Sequence, residues 1–148
     1  MPMRIGEEMP TFDGATEFLN GELNLEKDKP TLVHFWATSC GICKEKMPQL
    51  RELITENGAK GLQTVAIHMP RYEADTDREV VRETVEKQGI TEVCAVDNEH
   101  KLKDAFKNEQ GWVPVYYLFD AEGKLKSRAA GEFGIGLLKT ALDKMFAA

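Results

Sequence analysis

Two hydrophobic rhythms alternate along this chain, and each change of rhythm marks an element. Thr31 to Ala37 (TLVHFWA) is a nearly continuous apolar and β-branched run, which predicts a strand buried on both faces at the centre of a sheet. From Cys43 onward Met47, Leu50, Leu53 and Ile54 fall on one helical face. Pro48 lies inside that helix, where it should kink the axis, and Asn57-Gly58 supplies a stop. Leu62 to Met69 reads as a second strand. Thr76-Asp77-Arg78-Glu79 has capping-box spacing and predicts a helix over about 77–88, ended by Gly89. Val93 to Val96 is a short strand, and Asn98 is placed to cap a brief helix carrying Leu102, Ala105 and Phe106. Val115 to Phe119 and Lys124 to Ala130 are joined by so short a turn, Asp120-Ala121-Glu122-Gly123, that they must form an antiparallel hairpin. Gly131 and Gly134 precede a last amphipathic helix with Ile135, Leu138, Ala141, Leu142 and Met145 on its apolar face. The N-terminal stretch is polar, with turn signals at Asp13-Gly14 and Asn20-Gly21.

Strands alternating with helices require a largely parallel sheet covered on both faces, while the terminal hairpin adds antiparallel edge strands. The fold class is therefore α/β: a central mixed sheet between two helical layers. With 148 residues and no internal repeat or linker, residues 1–148 form one domain.

Composition narrows what such a domain does. A net charge of −6, from 19 basic and 25 acidic residues, provides no basic excess to release counterions from a phosphate backbone, so nucleic acid is not an expected partner. No run approaches the length of a membrane span, and the first residues lack the apolar core of a secretory signal. As the chain stands, it is expected in the cytoplasm, unless a leader has been removed. Three cysteines are too few for a disulfide scaffold, and a Cys-x-x-Cys pair in a reducing compartment points to catalysis or metal binding.

Cys40 and Cys43 stand where the central strand hands over to its helix. The unpaired N–H groups at that helix start, and the positive end of its dipole, stabilise a thiolate at Cys40, which is the attacking species in disulfide exchange. Cys43, a turn further in, would be less exposed and would resolve the mixed disulfide. Two other chemistries use such cysteines. A zinc knuckle needs four ligands, but Cys94 and the histidines at 34, 68 and 100 are scattered singly, so no metal is expected. A peroxidatic cysteine also uses a helix-terminal thiolate beside a resolving thiol. A non-catalytic binding module is the third alternative.

Phe35 to Pro48 (FWATSCGICKEKMP), followed some seventy residues later by Val113-Pro114, resembles thioredoxin-fold thiol-disulfide oxidoreductases of the TlpA/ResA type. The likeness runs nearly end to end, including Lys29-Pro30-Thr31, His68-Met69-Pro70-Arg71 and Asp104-Ala105-Phe106. It implies a thioredoxin fold with an inserted α-β-α segment over about 70–112. It also implies exchange with disulfide-containing protein substrates, without a bound cofactor, by a monomeric cytoplasmic reductant with antioxidant activity that draws electrons from an upstream thiol reductase. Pro114 matches the family's cis-proline beside the dithiol. Val113 would then offer main-chain groups to an extended substrate, with Gly41 and Ile42 completing the substrate border. Two departures stand out: Gly41-Ile42 replaces the Gly-Pro of thioredoxin, and Lys46 holds the place of a glutamate in the ResA type.

Trp36 is expected to pack at the active site. His34 shares strand parity with Leu32 and Trp36 and should be buried, either as a core histidine bonded to backbone or as the acceptor of the Cys43 proton, a task the resemblance gives to an aspartate at this position. His68 and Arg71, at the end of a strand, are expected to line the substrate surface. Cys94 reads as a buried apolar filler.

Overall fold

The computed structural model describes residues 1–147. Six strands, β1 (Glu17–Leu19), β2 (Thr31–Trp36), β3 (Gln63–His68), β4 (Cys94–Val96), β5 (Val115–Phe119) and β6 (Leu125–Ala130), form one sheet in the order β1-β4-β3-β2-β5-β6. β2, β3 and β4 run parallel, and β1, β5 and β6 pair antiparallel. The α/β class and the mixed sheet are as the sequence predicts. β2 is buried at all six positions because it has a strand on each side and helices on both faces.

Four helices complete the fold: α1 (Gly41–Gly58), α2 (Arg78–Lys87), α3 (Lys101–Ala105) and α4 (Gly134–Met145), with a 3-10 turn at Glu73–Thr76. α1 and α4 pack together on the face of β2 that carries Leu32, His34 and Trp36. A hydrogen bond from Arg51 to the Gly89 carbonyl sets the end of α2 beside α1. α4 starts close to the sheet: a Cβ on Gly134 would lie 3.3 Å from the Tyr116 ring. The opposite face is aromatic, with Phe106, just past α3, at 5.6 Å from Phe35 and 5.4 Å from Tyr117.

Three helix boundaries differ from the sequence reading. The N-cap of α2 is Asp77, whose carboxylate accepts from the Glu79 and Val80 N–H groups, while the Thr76 hydroxyl turns back to the Glu73 carbonyl. α3 is held by Asp97, which accepts from Leu102 and Lys103 at 2.8 Å each, and not by Asn98. A carboxylate offers two oxygens to unpaired N–H groups and outcompetes the neighbouring hydroxyl or amide. α1 runs through Gly58, and the left-handed residue that turns the chain is Gly61, at φ +105°. The N-terminal stretch contributes β1, three residues too few to show a period, and its Asn20-Gly21 turn takes positive φ at both residues.

Candidate active site

Cys40 is the N-cap of α1: its backbone is extended (φ −88°, ψ 104°), and its sulfur accepts from the Cys43 N–H at 3.0 Å. The two cysteines form a disulfide, with Cα atoms 5.2 Å apart. No acidic residue occupies the first turn of α1, so the positive end of the helix is uncompensated from within. The expected difference in exposure between the two is absent, at 4% for Cys40 and 3% for Cys43. In the oxidised state what separates them is position on the helix, Cys40 at the cap and Cys43 a turn inside.

The Val113–Pro114 bond is cis, as the resemblance implies. Pro114 immediately precedes β5, whose Val115 pairs with Phe35, so the turn stands beside the end of β2 from which the dithiol emerges. Gly41 opens α1 with no atom within 4 Å of where its Cβ would be, and Ile42 is 37% exposed.

Trp36 lies under the site rather than over it. It is 1% exposed, and its ring meets the His68 ring edge-on at 4.8 Å. His68 is a correction to the sequence reading: instead of lining the surface it is fully buried, and its Nε2 accepts from the Thr38 N–H at 3.1 Å. Burial drives its pKa down to about 4, which keeps the ring neutral and able to accept. Arg71 is exposed, as expected, with its guanidinium donating to Ser39 Oγ from Nε and Nη2.

His34 is buried, but its bond is to a side chain, not to backbone. Nε2 lies 2.5 Å from Glu92 Oε2, and Arg51 closes a two-pronged ion pair with the same carboxylate at 2.6 Å on each oxygen. Burial would raise the Glu92 pKa, but the His34 and Arg51 bonds outweigh it and hold the carboxyl far below the usual range. Asn20 positions the loop that carries Glu92 by donating to the carbonyls of Ile90 and Glu92. Neither Arg51 nor Glu92 announces this role in the sequence: both sit among ordinary surface charges, and only the fold joins them across 41 positions.

A second buried carboxylate, Asp75, was also missed. It is 3% exposed and accepts from the hydroxyls of Thr38 (3.1 Å) and Ser39 (2.7 Å) and from the N–H groups of Arg71 and Tyr72. Cys94 is free, buried and far from reactive, its thiol pushed up to about 12 by burial. Among the described residues, no three metal-ligating side chains gather.

A cysteine pair at the start of the helix that follows the central strand, with a cis-proline turn alongside, defines a thioredoxin-fold dithiol–disulfide protein. The chain belongs to the Redoxin family, whose model matches residues 4–142. It is 41% identical over 148 residues to the thiol-disulfide oxidoreductase YkuV of Bacillus subtilis, covering 98% of each chain. It is 25% identical to the thiol-disulfide oxidoreductase ResA of Oceanobacillus iheyensis, covering 95% of this chain and 72% of that protein. Among solved structures, that of a thioredoxin-like protein in the oxidized form superposes with a TM-score of 0.87 at 40% identity, over 98% of both chains.

Proposed function

We propose that this protein is a thiol-disulfide oxidoreductase that reduces protein disulfides through Cys40 and Cys43. The observation that supports this reading most is the pair's place at the N-terminus of α1, with Cys40 as the cap. The Cys40 thiolate attacks one sulfur of a substrate disulfide, the substrate S–S bond breaks, and a mixed disulfide forms as the leaving thiolate takes a proton. Cys43 loses its proton and attacks the Cys40 sulfur, which releases the second substrate thiol and leaves the Cys40–Cys43 disulfide. Two electrons pass to the substrate, and an upstream thiol reductase must return them. Val113, Gly41 and Ile42 border the substrate, which lies extended against the cis-proline turn. The chain acts as a cytoplasmic monomer that contributes antioxidant capacity.

His34 takes the Cys43 proton in this scheme. The Glu92 carboxylate accepts from Nε2, which fixes the proton there and leaves Nδ1 as the basic nitrogen. The imidazole and its carboxylate act as a unit beneath α1.

Insulin reduction run beside peroxide consumption tests the reaction, and turnover of peroxide without insulin reduction makes the protein a peroxidase instead. Cys40→Ser abolishes turnover, Cys43→Ser accumulates mixed disulfides through Cys40, and Cys94→Ser keeps near-normal activity. The reduction potential falls between roughly −210 and −290 mV for a reductant, and a value near roughly −120 mV assigns the reverse direction. His34→Leu slows resolution of the mixed disulfide at least roughly tenfold at neutral pH, with attack by Cys40 unaffected. Stopped-flow reduction across pH 5 to 9, with thermal melting as the fold control, reads this out, and an unchanged profile leaves His34 as a core residue.

A further inference from the structure

The turn that delivers Cys40 to the helix is fastened from outside by one side chain. Thr38 and Ser39, the two residues before Cys40, both donate their hydroxyls to Asp75, and the N–H groups of Arg71 and Tyr72 bind the same carboxylate. Two more contacts hold this turn: the Thr38 N–H on His68, and the Arg71 guanidinium on the Ser39 hydroxyl. His68 is the last residue of β3, and Arg71, Tyr72 and Asp75 lie in the stretch between β3 and α2.

Asp75 is nearly buried, yet no cation lies within ion-pair distance of it among the described residues. Burial alone would raise its pKa, but the bonds from Ser39, Arg71, Thr38 and Tyr72 hold it below the usual range, so it is a carboxylate at neutral pH. A full negative charge, held by dipoles, thus stands against Thr38 and Ser39, the two residues before the attacking cysteine. Such a charge disfavours a thiolate, while the helix terminus favours it.

We infer that Asp75 is a positioning residue for Cys40: it fixes the turn that sets the sulfur at the helix cap, and its charge offsets part of the stabilisation that the helix gives the thiolate. The inference rests on Cys40 being the attacking thiol. Other charged groups surround the site. Lys44, Glu45 and Lys46 are on α1, Glu132 is in the β6–α4 loop, and Glu73 and Asp77 flank Asp75, but all are further exposed to water and none bonds to the turn. Arg71 and His68 do bond it. The exposed Arg71 cation works against Asp75, and His68 is neutral near pH 7. In functional terms Asp75 keeps the dithiol from becoming too acidic, and therefore keeps the protein on the reducing side of exchange.

The test uses the reduced full-length protein and follows iodoacetamide alkylation of Cys40, read at its own peptide by mass spectrometry, from pH 4 to 10. Asp75→Asn preserves the shape and removes the charge: the amide oxygen takes the place of Oδ2, which accepts from Ser39, Arg71 and Tyr72, and the Thr38 hydroxyl on Oδ1 can turn to accept from the new NH2. The apparent pKa of Cys40 falls by at least about half a unit. Equilibration with glutathione shifts at least about threefold toward the dithiol, about 14 mV by the relation of 29.6 mV per tenfold. Ser39→Ala, an exposed change that leaves the fold in place, tests the contact from the other side. The carboxylate loses a donor and Arg71 loses its anchor, so the Cys40 pKa moves up, by about 0.3 unit. A purely structural brace predicts slower turnover in both variants with no opposed shifts in pKa. The inference is overturned if a folded Asp75→Asn protein keeps or raises the Cys40 pKa, or if Ser39→Ala leaves it in place or lowers it. Because alkylation needs no disulfide substrate, this result stands apart from whether insulin is reduced.

Discussion

Asp75 and Glu92 are both buried carboxylates, and both hold their charge, but by opposite means. Glu92 lies beneath α1 and is matched by ions or ionisable rings: Arg51 at 2.6 Å on each oxygen and His34 at 2.5 Å. Asp75 lies at the rim of the dithiol and is matched by two hydroxyls and two backbone N–H groups. A charge paired with a charge is silent at a distance, because the fields cancel. A charge held by dipoles still projects a field, and it can be felt by a neighbour such as Cys40. The difference also sets the cost of losing a partner, since an orphaned buried ion is far more expensive than one missing neutral hydrogen bond.

The comparison breaks most visibly at Arg51. Arg51→Leu leaves the Glu92 carboxylate buried with only His34, and the expected loss is about 3–5 kcal/mol, or roughly 6–20 °C in melting temperature for a chain of this size. Calorimetry at pH 7 checks it, and a loss comparable to that of a surface lysine variant would show that the pair contributes nothing net. Acidification comes next. The folded pKa of His68 is near 4 against an ordinary 6.5, so the unfolded chain binds a proton first as pH falls. Its contribution is complete above about pH 6.5 and disappears as pH drops toward 4, at most about 3 kcal/mol. Glu92 and Asp75, whose pKa values are lowered, add their own losses as pH falls through the ordinary carboxylate range and below it. Urea melts from about pH 7.5 to about pH 2.5 should therefore decline in two stages, and His68→Asn should flatten the first. The smallest effect tests the dipole side. Thr38→Val keeps volume, removes one of the four donors to Asp75, and costs about 1.5 kcal/mol, a shift of about 3–6 °C. A loss as large as that of Arg51→Leu would erase the distinction between the two carboxylates.

What could be read from the chain follows the range of the interactions. β2, α1, β3, the β5–β6 hairpin and α4 each carry a pattern longer than one period, and the dithiol adds a local motif at a junction, so these were legible. The cis bond at Pro114 was legible only through resemblance, because residue type alone says little about it. Asp75, Glu92 and Arg51 were not legible. Their side-chain partners lie 36 to 58 positions away, and in a chain with 25 acidic residues nothing local distinguishes a carboxylate bound for the core from one in solvent. His34 was placed on the right face by strand parity, yet its partner was not, since parity reports a direction and not what waits there. His68 was misplaced for a related reason. It stands at the end of a strand, where a sequence reading expects a side chain on the surface, but the Trp36 ring and the Thr38 N–H close against it.

The two rims of the sheet bear on how these molecules meet one another. β1 is only three residues long, and its Glu17 is engaged by Arg78. β6 is longer, but its start is already bonded by Gly6 and Glu7, its pairing with β5 is irregular at Leu118 and Phe119, and Lys126 and Arg128 set charge along it. A short rim and a covered, charged rim both make poor templates for adding a foreign strand. Crowded solutions of this protein are thus guarded against growing by sheet extension.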